Sequence, residues 1–162
     1  MQFRDLVKQY EALKPLIDKV LLDTLAAGDF IMGNAVKELE TKLADYVGVK
    51  NCITCANGTD ALTLALKVWD CGPGDAIFVP DFTFFATAEV VSLEGATPIF
   101  VDVDPNTFNI DSQRLEEAIQ RTIAEGNLKP KVIIAVDLFG LPADYSKIKQ
   151  IANQYNLFLL ED

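Results

Sequence analysis

The strongest constraint on the fold is an alternation of short apolar runs with longer amphipathic stretches. Val132-Ile133-Ile134-Ala135-Val136 is apolar at every position. A strand with one wet face alternates apolar and polar residues, so a run without a polar member fits a strand covered on both faces. Similar runs occupy residues 52–55, 76–79, 98–101 and 157–160. Helical patterns fill the intervals at 60–69, 85–93, 111–123 and 143–155, and Gly72-Pro73-Gly74-Asp75, Asp104-Pro105-Asn106 and Leu141-Pro142 supply turns. Strand and helix in alternation imply an α/β fold, with a parallel sheet between two helical layers. Half of the 162 residues are apolar, enough for one domain with a sizeable core.

Two helices precede this alternation. Leu6, Tyr10, Leu13, Ile17, Val20 and Leu25 recur at helical spacing, so residues 4–26 read as one amphipathic helix, kinked or split at Pro15 and ended by Gly28. A loop follows, Gly28-Asp29-Phe30-Ile31-Met32-Gly33. Asn34 then reads as the cap of a second helix that turns Val36, Leu39, Leu43 and Val47 inward and stops at Gly48.

Composition narrows the chemistry. The net charge is −10, and the fourteen Lys and Arg are scattered among acids, which argues against nucleic acid as a partner. The absence of histidine removes the usual general base and most zinc sites. Cys52 and Cys55 form a C-x-x-C, but partners for a metal are missing and Cys52 falls in an expected strand. Buried thiols in a reducing compartment, and no metal, are therefore expected. The start of the chain lacks a signal peptide's apolar core and no run has membrane-spanning length, so a cytoplasmic protein without a membrane partner is the default. The last apolar run reads as a central strand, yet the sequence stops two residues later. Part of a longer protein is the expectation.

In an open parallel sheet, ligands gather at the carboxyl ends of the strands. Candidate ligand groups fall there: Gly58 and Thr59, then Asp81, Thr83 and Phe84, then Asp102 and Asp104, then Asp137 and Asp162. Gly58 and Thr59 open a helix whose free N–H groups suit a phosphate. An ordinary cap supplied by Thr59 or Asp60 is the plain alternative. Phe84 is either a stacking platform or core, Asp104 before Pro105 a ligand or a turn, and Asp102, Asp137 and Asp162 are carboxylate ligands or caps. A phosphate cradle, an aromatic plate and a carboxylate on one edge would together suit a flat, charged heteroaromatic cofactor.

Several stretches in order resemble the N-terminal part of the DegT/StrS family of pyridoxal-phosphate (PLP) dependent sugar aminotransferases. They are Gly28-Asp29-Phe30-Ile31-Met32-Gly33; Cys55-Ala56-Asn57-Gly58-Thr59-Asp60-Ala61-Leu62; Gly72-Pro73-Gly74-Asp75; and Pro80-Asp81-Phe82-Thr83-Phe84-Phe85-Ala86-Thr87-Ala88. Phe100-Val101-Asp102-Val103-Asp104, Leu138-Phe139-Gly140-Leu141-Pro142-Ala143-Asp144 and the closing Glu161-Asp162 complete the set. The resemblance implies the parallel-rich three-layer sheet of PLP-dependent transferase fold type I, with residues 1–162 as the N-terminal part of an incomplete large domain. It implies that Gly58 and Thr59 bind the cofactor phosphate, Phe84 stacks on the pyridine ring, Asp162 pairs with the ring nitrogen and Asp137 supports the ring-hydroxyl side. Phe30, Met32 and Gly33 would lie near a nucleotide-sugar substrate.

The same resemblance puts the Schiff-base lysine downstream of Asp162, and none of the lysines present matches it. It implies an amino-acid donor such as L-glutamate, a keto-sugar acceptor and a homodimer. A related sugar dehydratase, with histidine in place of that lysine, and a non-catalytic α/β module are the alternatives. Neither a G-x-G-x-x-G nor a G-x-x-x-x-G-K-[ST] is present to support a nucleotide-binding module.

Overall fold

The computed structural model describes residues 4–162, in two compact units that divide after Thr54.

The first unit holds α1 (Leu6–Ala27) and α2 (Asn34–Val47). The Asp5 carboxylate caps α1 by accepting from Lys8 N at 3.0 Å. Pro15 neither ends nor splits the helix, although the Glu11 carbonyl loses its usual donor there. Gly28 closes α1 at φ 68°, with its N–H on the Thr24 carbonyl. The amphipathic pattern forms the helix, yet no residue of α1 is buried.

In the loop that follows, a Cβ on Gly33 would come within 2.7 Å of the Asp29 carbonyl and carboxylate, so only glycine fits. Asn34 is the first helical residue of α2 rather than its cap. Gly33 holds the cap position, and Asp29 does the capping by accepting from Asn34 N at 3.1 Å. Gly48 ends α2 at φ 77°.

Residues 52–55 were expected to form a strand and do not. A strand needs a ladder partner, and this segment has none among the described residues. The backbone N–H and hydroxyl of Thr54 instead donate to Glu40 Oε1, each at 2.9 Å. These two bonds hold the Glu40 carboxyl below its ordinary value. The expectation of buried thiols fails for Cys55, which is exposed, whereas Cys52 is half-buried and Cys71 buried.

The second unit carries α3 (Gly58–Val68), β1 (Asp75–Pro80), α4 (Ala86–Leu93), β2 (Thr97–Val101), α5 (Ser112–Glu125), β3 (Lys129–Ala135), α6 (Tyr145–Tyr155) and β4 (Phe158–Glu161). The four strands form one sheet in the order β2-β1-β3-β4, every pair parallel. Successive side chains on a strand point to opposite faces, so the apolar runs split between two cores. Ala76, Phe78, Ile133 and Ala135 pack with Leu115 and Ile119 of α5 and Ile148 of α6. Ile77, Val79, Val132 and Ile134 pack with Leu62 and Leu66 of α3 and Val90 and Val91 of α4. This is the expected sheet between two helical layers.

The β1–β3 register slips between Ala76 and Ile77, which pair with Pro130 and Val132. Pro130 has no N–H for the ladder, and the slip leaves Lys131 as the extra residue. Its ammonium reaches Asp70 O at 2.6 Å and Asp75 Oδ2 at 2.7 Å.

Candidate cofactor site

The site lies beyond the carboxyl ends of β1, β3 and β4. A cavity of about 380 Å³ there is lined by Gly58, Thr59, Leu62, Thr83, Phe84, Ala86, Val136, Asp137, Leu138, Phe139 and Asp162. Its volume is at the lower end of the roughly 300–1000 Å³ typical of small-molecule sites. Gly58, Thr59, Phe84, Asp137 and Asp162, separated by up to 104 positions in sequence, thus share one cavity. Phe30, Met32 and Gly33 belong to the first unit. Phe30 and Met32 are exposed, with Met32 at φ 52°.

The α3 end of the cavity is a helix N-terminus. Its cap is Asn57, not Thr59 or Asp60: Asn57 Oδ1 accepts from Asp60 N at 2.9 Å, and Nδ2 donates to Asp60 Oδ2 at 3.1 Å. Because Asn57 serves the third residue of the helix, the N–H groups of Gly58 and Thr59 keep no carbonyl partner four residues back. The helix dipole adds partial positive charge at this point. The arrangement suits an anion.

Phe84 is 76% exposed, so it is not a core residue. The turn before α4 carries it, with Thr87 N donating to Phe84 O at 3.2 Å. Opposite, Asp162 N donates to Ala135 O at 2.8 Å, and Asp137 N to Asp162 O at 3.0 Å. These bonds continue the β3–β4 pairing past the strand ends, so both aspartates have a set backbone position. Thr87 Oγ1 donates to Asp162 Oδ2 at 2.7 Å.

Asp137 Oδ1 accepts from Ala143 N at 3.0 Å and from the Tyr145 hydroxyl at 2.8 Å. Burial, and then this hydrogen bond, push the Tyr145 hydroxyl well above its ordinary pKa of 10.0. The 3-10 turn between them, Leu138–Gly140, puts Phe139 at φ 55° and leaves its ring 86% exposed at the cavity.

Two of the expected aspartates bond within their own loop, Asp104 as a turn residue and Asp102 to its neighbour. Asp104 Oδ1 accepts from Asn106 N at 2.8 Å and Thr107 N at 3.1 Å, which lowers its pKa. Asp102 Oδ1 accepts from its neighbour Val103 N at 2.9 Å. Neither these nor Asp81 lines the cavity. The sequence reading overlooked two polar residues that shape the site. Thr87 is buried beneath Asp162, and only its i,i+4 spacing from Thr83 signals it. Asn109 is buried, and its Nδ2 donates to Leu141 O at 2.9 Å and Pro142 O at 3.1 Å. No local pattern marks Asn109.

A parallel α/β sheet with an anion-ready helix, an exposed aromatic ring and a carboxylate around one cavity is an arrangement suited to a flat, phosphorylated ligand at the strand ends. Residues 12–162 match the DegT/DnrJ/EryC1/StrS aminotransferase family, and the chain belongs to it. It is 45% identical, over its whole length, to the UDP-2-acetamido-2-deoxy-3-oxo-D-glucuronate aminotransferase of Pseudomonas aeruginosa, and spans 43% of that protein. The structure of a DegT DnrJ EryC1 StrS aminotransferase from Brucella abortus matches with a TM-score of 0.97 and 51% identity, covering all of this chain and 43% of that one. That of ntda from Bacillus subtilis, with bound cofactor PMP, matches with a TM-score of 0.82 and 35% identity, covering 90% of this chain and 32% of that one. The fold is that of these aminotransferases, and the chain spans about two fifths of the first two relatives' length.

Proposed function

We propose that the protein is a PLP-dependent aminotransferase acting on a nucleotide-activated keto-sugar, with an amino acid such as L-glutamate as donor, and that these residues form its cofactor cradle. The observation that carries the reading is the shared cavity of Gly58, Thr59, Phe84 and Asp162. The residues present fit the group: a helix N-terminus for the phosphate, an exposed ring for the pyridine face and a carboxylate for the ring nitrogen. When bound, the cofactor supplies a carbonyl that carries the amino group and a ring that takes up the electron pair of a broken C–H bond.

The chain's own residues hold and orient. Gly58 and Thr59 take the phosphate through N–H groups and the Thr59 hydroxyl. Phe84 covers one ring face and excludes water from it. Asp162 keeps a proton on the ring nitrogen. Asp137 has one oxygen committed to Ala143 and Tyr145, so its second oxygen is the one open to the ring-hydroxyl side. Phe30, Met32 and Gly33 are assigned to the sugar substrate on the family resemblance. No lysine lines the cavity. The lysine that moves the proton is assigned, on the family resemblance alone, to a position downstream of Asp162. Homodimer assembly and a cytoplasmic location complete the proposal. No helix among the described residues is long and apolar enough to cross a membrane.

The test is binding of pyridoxamine phosphate to the full-length protein by calorimetry, with F84A and D162A alongside. Micromolar binding by the wild type, weakened at least about tenfold in each variant, is expected. Production of 2-oxoglutarate from L-glutamate with a UDP-3-keto-sugar would complete the assignment. A wild-type protein that binds no pyridoxamine phosphate refutes it.

A further inference from the structure

Asp162 is held more tightly than a terminal carboxylate on a strand needs to be. Its backbone is bonded on both sides, through its N–H to Ala135 and its carbonyl to Asp137. One of its two side-chain oxygens, Oδ2, is also taken by Thr87 Oγ1 at 2.7 Å. Thr87 is only 1% exposed, and a second hydroxyl, Thr83 Oγ1, lies 3.1 Å from its own. Distance alone leaves the direction of that last bond open. Chemistry decides it. An ionised carboxylate only accepts, and a threonine hydroxyl has one proton to give. Thr87 spends its proton on Asp162, so Thr83 must donate to Thr87. The result is a directed chain, Thr83 to Thr87 to Asp162, that runs through one buried hydroxyl to an exposed carboxylate.

The chain also ties two functions to one piece of backbone. Thr83, Phe84 and Thr87 sit on the same turn, closed by the bond from Thr87 N to Phe84 O. Whatever fixes the Phe84 ring therefore also fixes the hydroxyl that holds Asp162. Asp162 lines the cavity, and with Oδ2 engaged by Thr87, Oδ1 is the side-chain oxygen without a hydrogen-bond partner among the described residues.

We propose that Thr87 is a positioning residue for the cofactor ring nitrogen: its buried hydroxyl, oriented by Thr83, engages Asp162 Oδ2 so that Oδ1 is presented to the ring N–H. This rests on the cofactor reading above. It acts through Asp162, so its effect depends on there being a nitrogen in the ring.

That dependence supplies the test. Affinities of the full-length wild type, T87V and T87S are measured by calorimetry for pyridoxamine phosphate and for its deaza analogue, which has carbon in place of the ring nitrogen. T87V keeps the shape of threonine and loses the hydroxyl; T87S keeps the hydroxyl. The expected result is a loss of about tenfold for pyridoxamine phosphate in T87V, with T87S within about twofold of wild type. The deaza analogue should bind wild type and T87V alike. Equal losses for both ligands in T87V, no loss at all, or T87S as weak as T87V would each overturn the proposal. Should T87V not fold, T83V removes the hydroxyl that orients Thr87 and gives the same two-ligand comparison, with a smaller loss expected and the same contradicting results. A wild type that binds neither ligand is a different outcome, because it refutes the cofactor reading itself.

Discussion

Asn109→Ala should loosen the turn that forms one wall of the cavity. The Asn109 amide donates twice, to Leu141 O at 2.9 Å and Pro142 O at 3.1 Å, and its oxygen accepts from Leu138 N at 3.3 Å. Residues 138–142 are thereby clipped to a loop 29 or more positions earlier in the chain. The clip holds a turn in which Phe139 sits at φ 55°, a region that costs a bulky residue roughly 1–2 kcal/mol. Two good hydrogen bonds at about 1 kcal/mol each, and a longer one worth less, give a loss of about 2–3 kcal/mol. The assay is native-state hydrogen exchange of the full-length protein over residues 137–143. A loss of that size should speed exchange there by roughly 30- to 150-fold if it opens locally. N109D should do more, because it aims a carboxylate at two carbonyls. Leu138 and Phe139 line the cavity, so weaker pyridoxamine phosphate binding should accompany both changes. Exchange in N109A within about twofold of wild type would refute the reasoning.

Lys131→Met leaves Asp75 with only the Gly72 N–H at 3.0 Å and should destabilise the fold by about 1–3 kcal/mol in urea melts. The Asp75 hydrogen bond raises the Lys131 pKa above 10.5. The wild-type advantage should therefore be whole below pH 10.5 and shrink as pH rises through the raised value; an advantage that grows with pH would contradict this. Tyr145→Phe should cost about 1 kcal/mol by freeing one bond to Asp137, and a melt indistinguishable from wild type would count against that tie. In the wild type, Tyr145 should keep its proton above its ordinary pKa of 10.0, and stability should fall above that pH because only the unfolded chain then loses the proton. Absorbance at the tyrosinate band, compared with Y145F, reads the missing titration directly.

Much of the architecture was legible in sequence because it depends on neighbours along the chain. The apolar run around Ile133 and Ile134 marked a doubly covered strand. Gly28 and Gly48 marked helix ends, since both adopt positive φ. Pro15 misled by its helix-breaking reputation, and Asn34 because Gly33 with Asp29 does the capping. The aspartates following β2 carried the same signal as Asp162, but Asp104 closes a local turn and Asp102 accepts from its own neighbour. What separates them is the partner each carboxylate meets.

Residues 52–55 show the limit from the other side. Their composition is that of a strand, but a strand exists only where a second strand offers its N–H and C=O groups. Among the described residues none does, and Thr54 bonds to Glu40 instead.

The sequence alone marked the helices, the four strands of the sheet and their apolar faces, because periodicity and turn residues act over a few positions; it could not tell those strands from residues 52–55, which lack a partner. Only the tertiary structure decided which polar groups meet. Thr87 and Asp162 are 75 positions apart, and Asn109 and Leu141 are 32. Those meetings depend on the strand order β2-β1-β3-β4 and its register, which bring distant strand ends to one edge. A hydrogen bond needs its atoms within about 3 Å, and no short-range pattern encodes that coincidence.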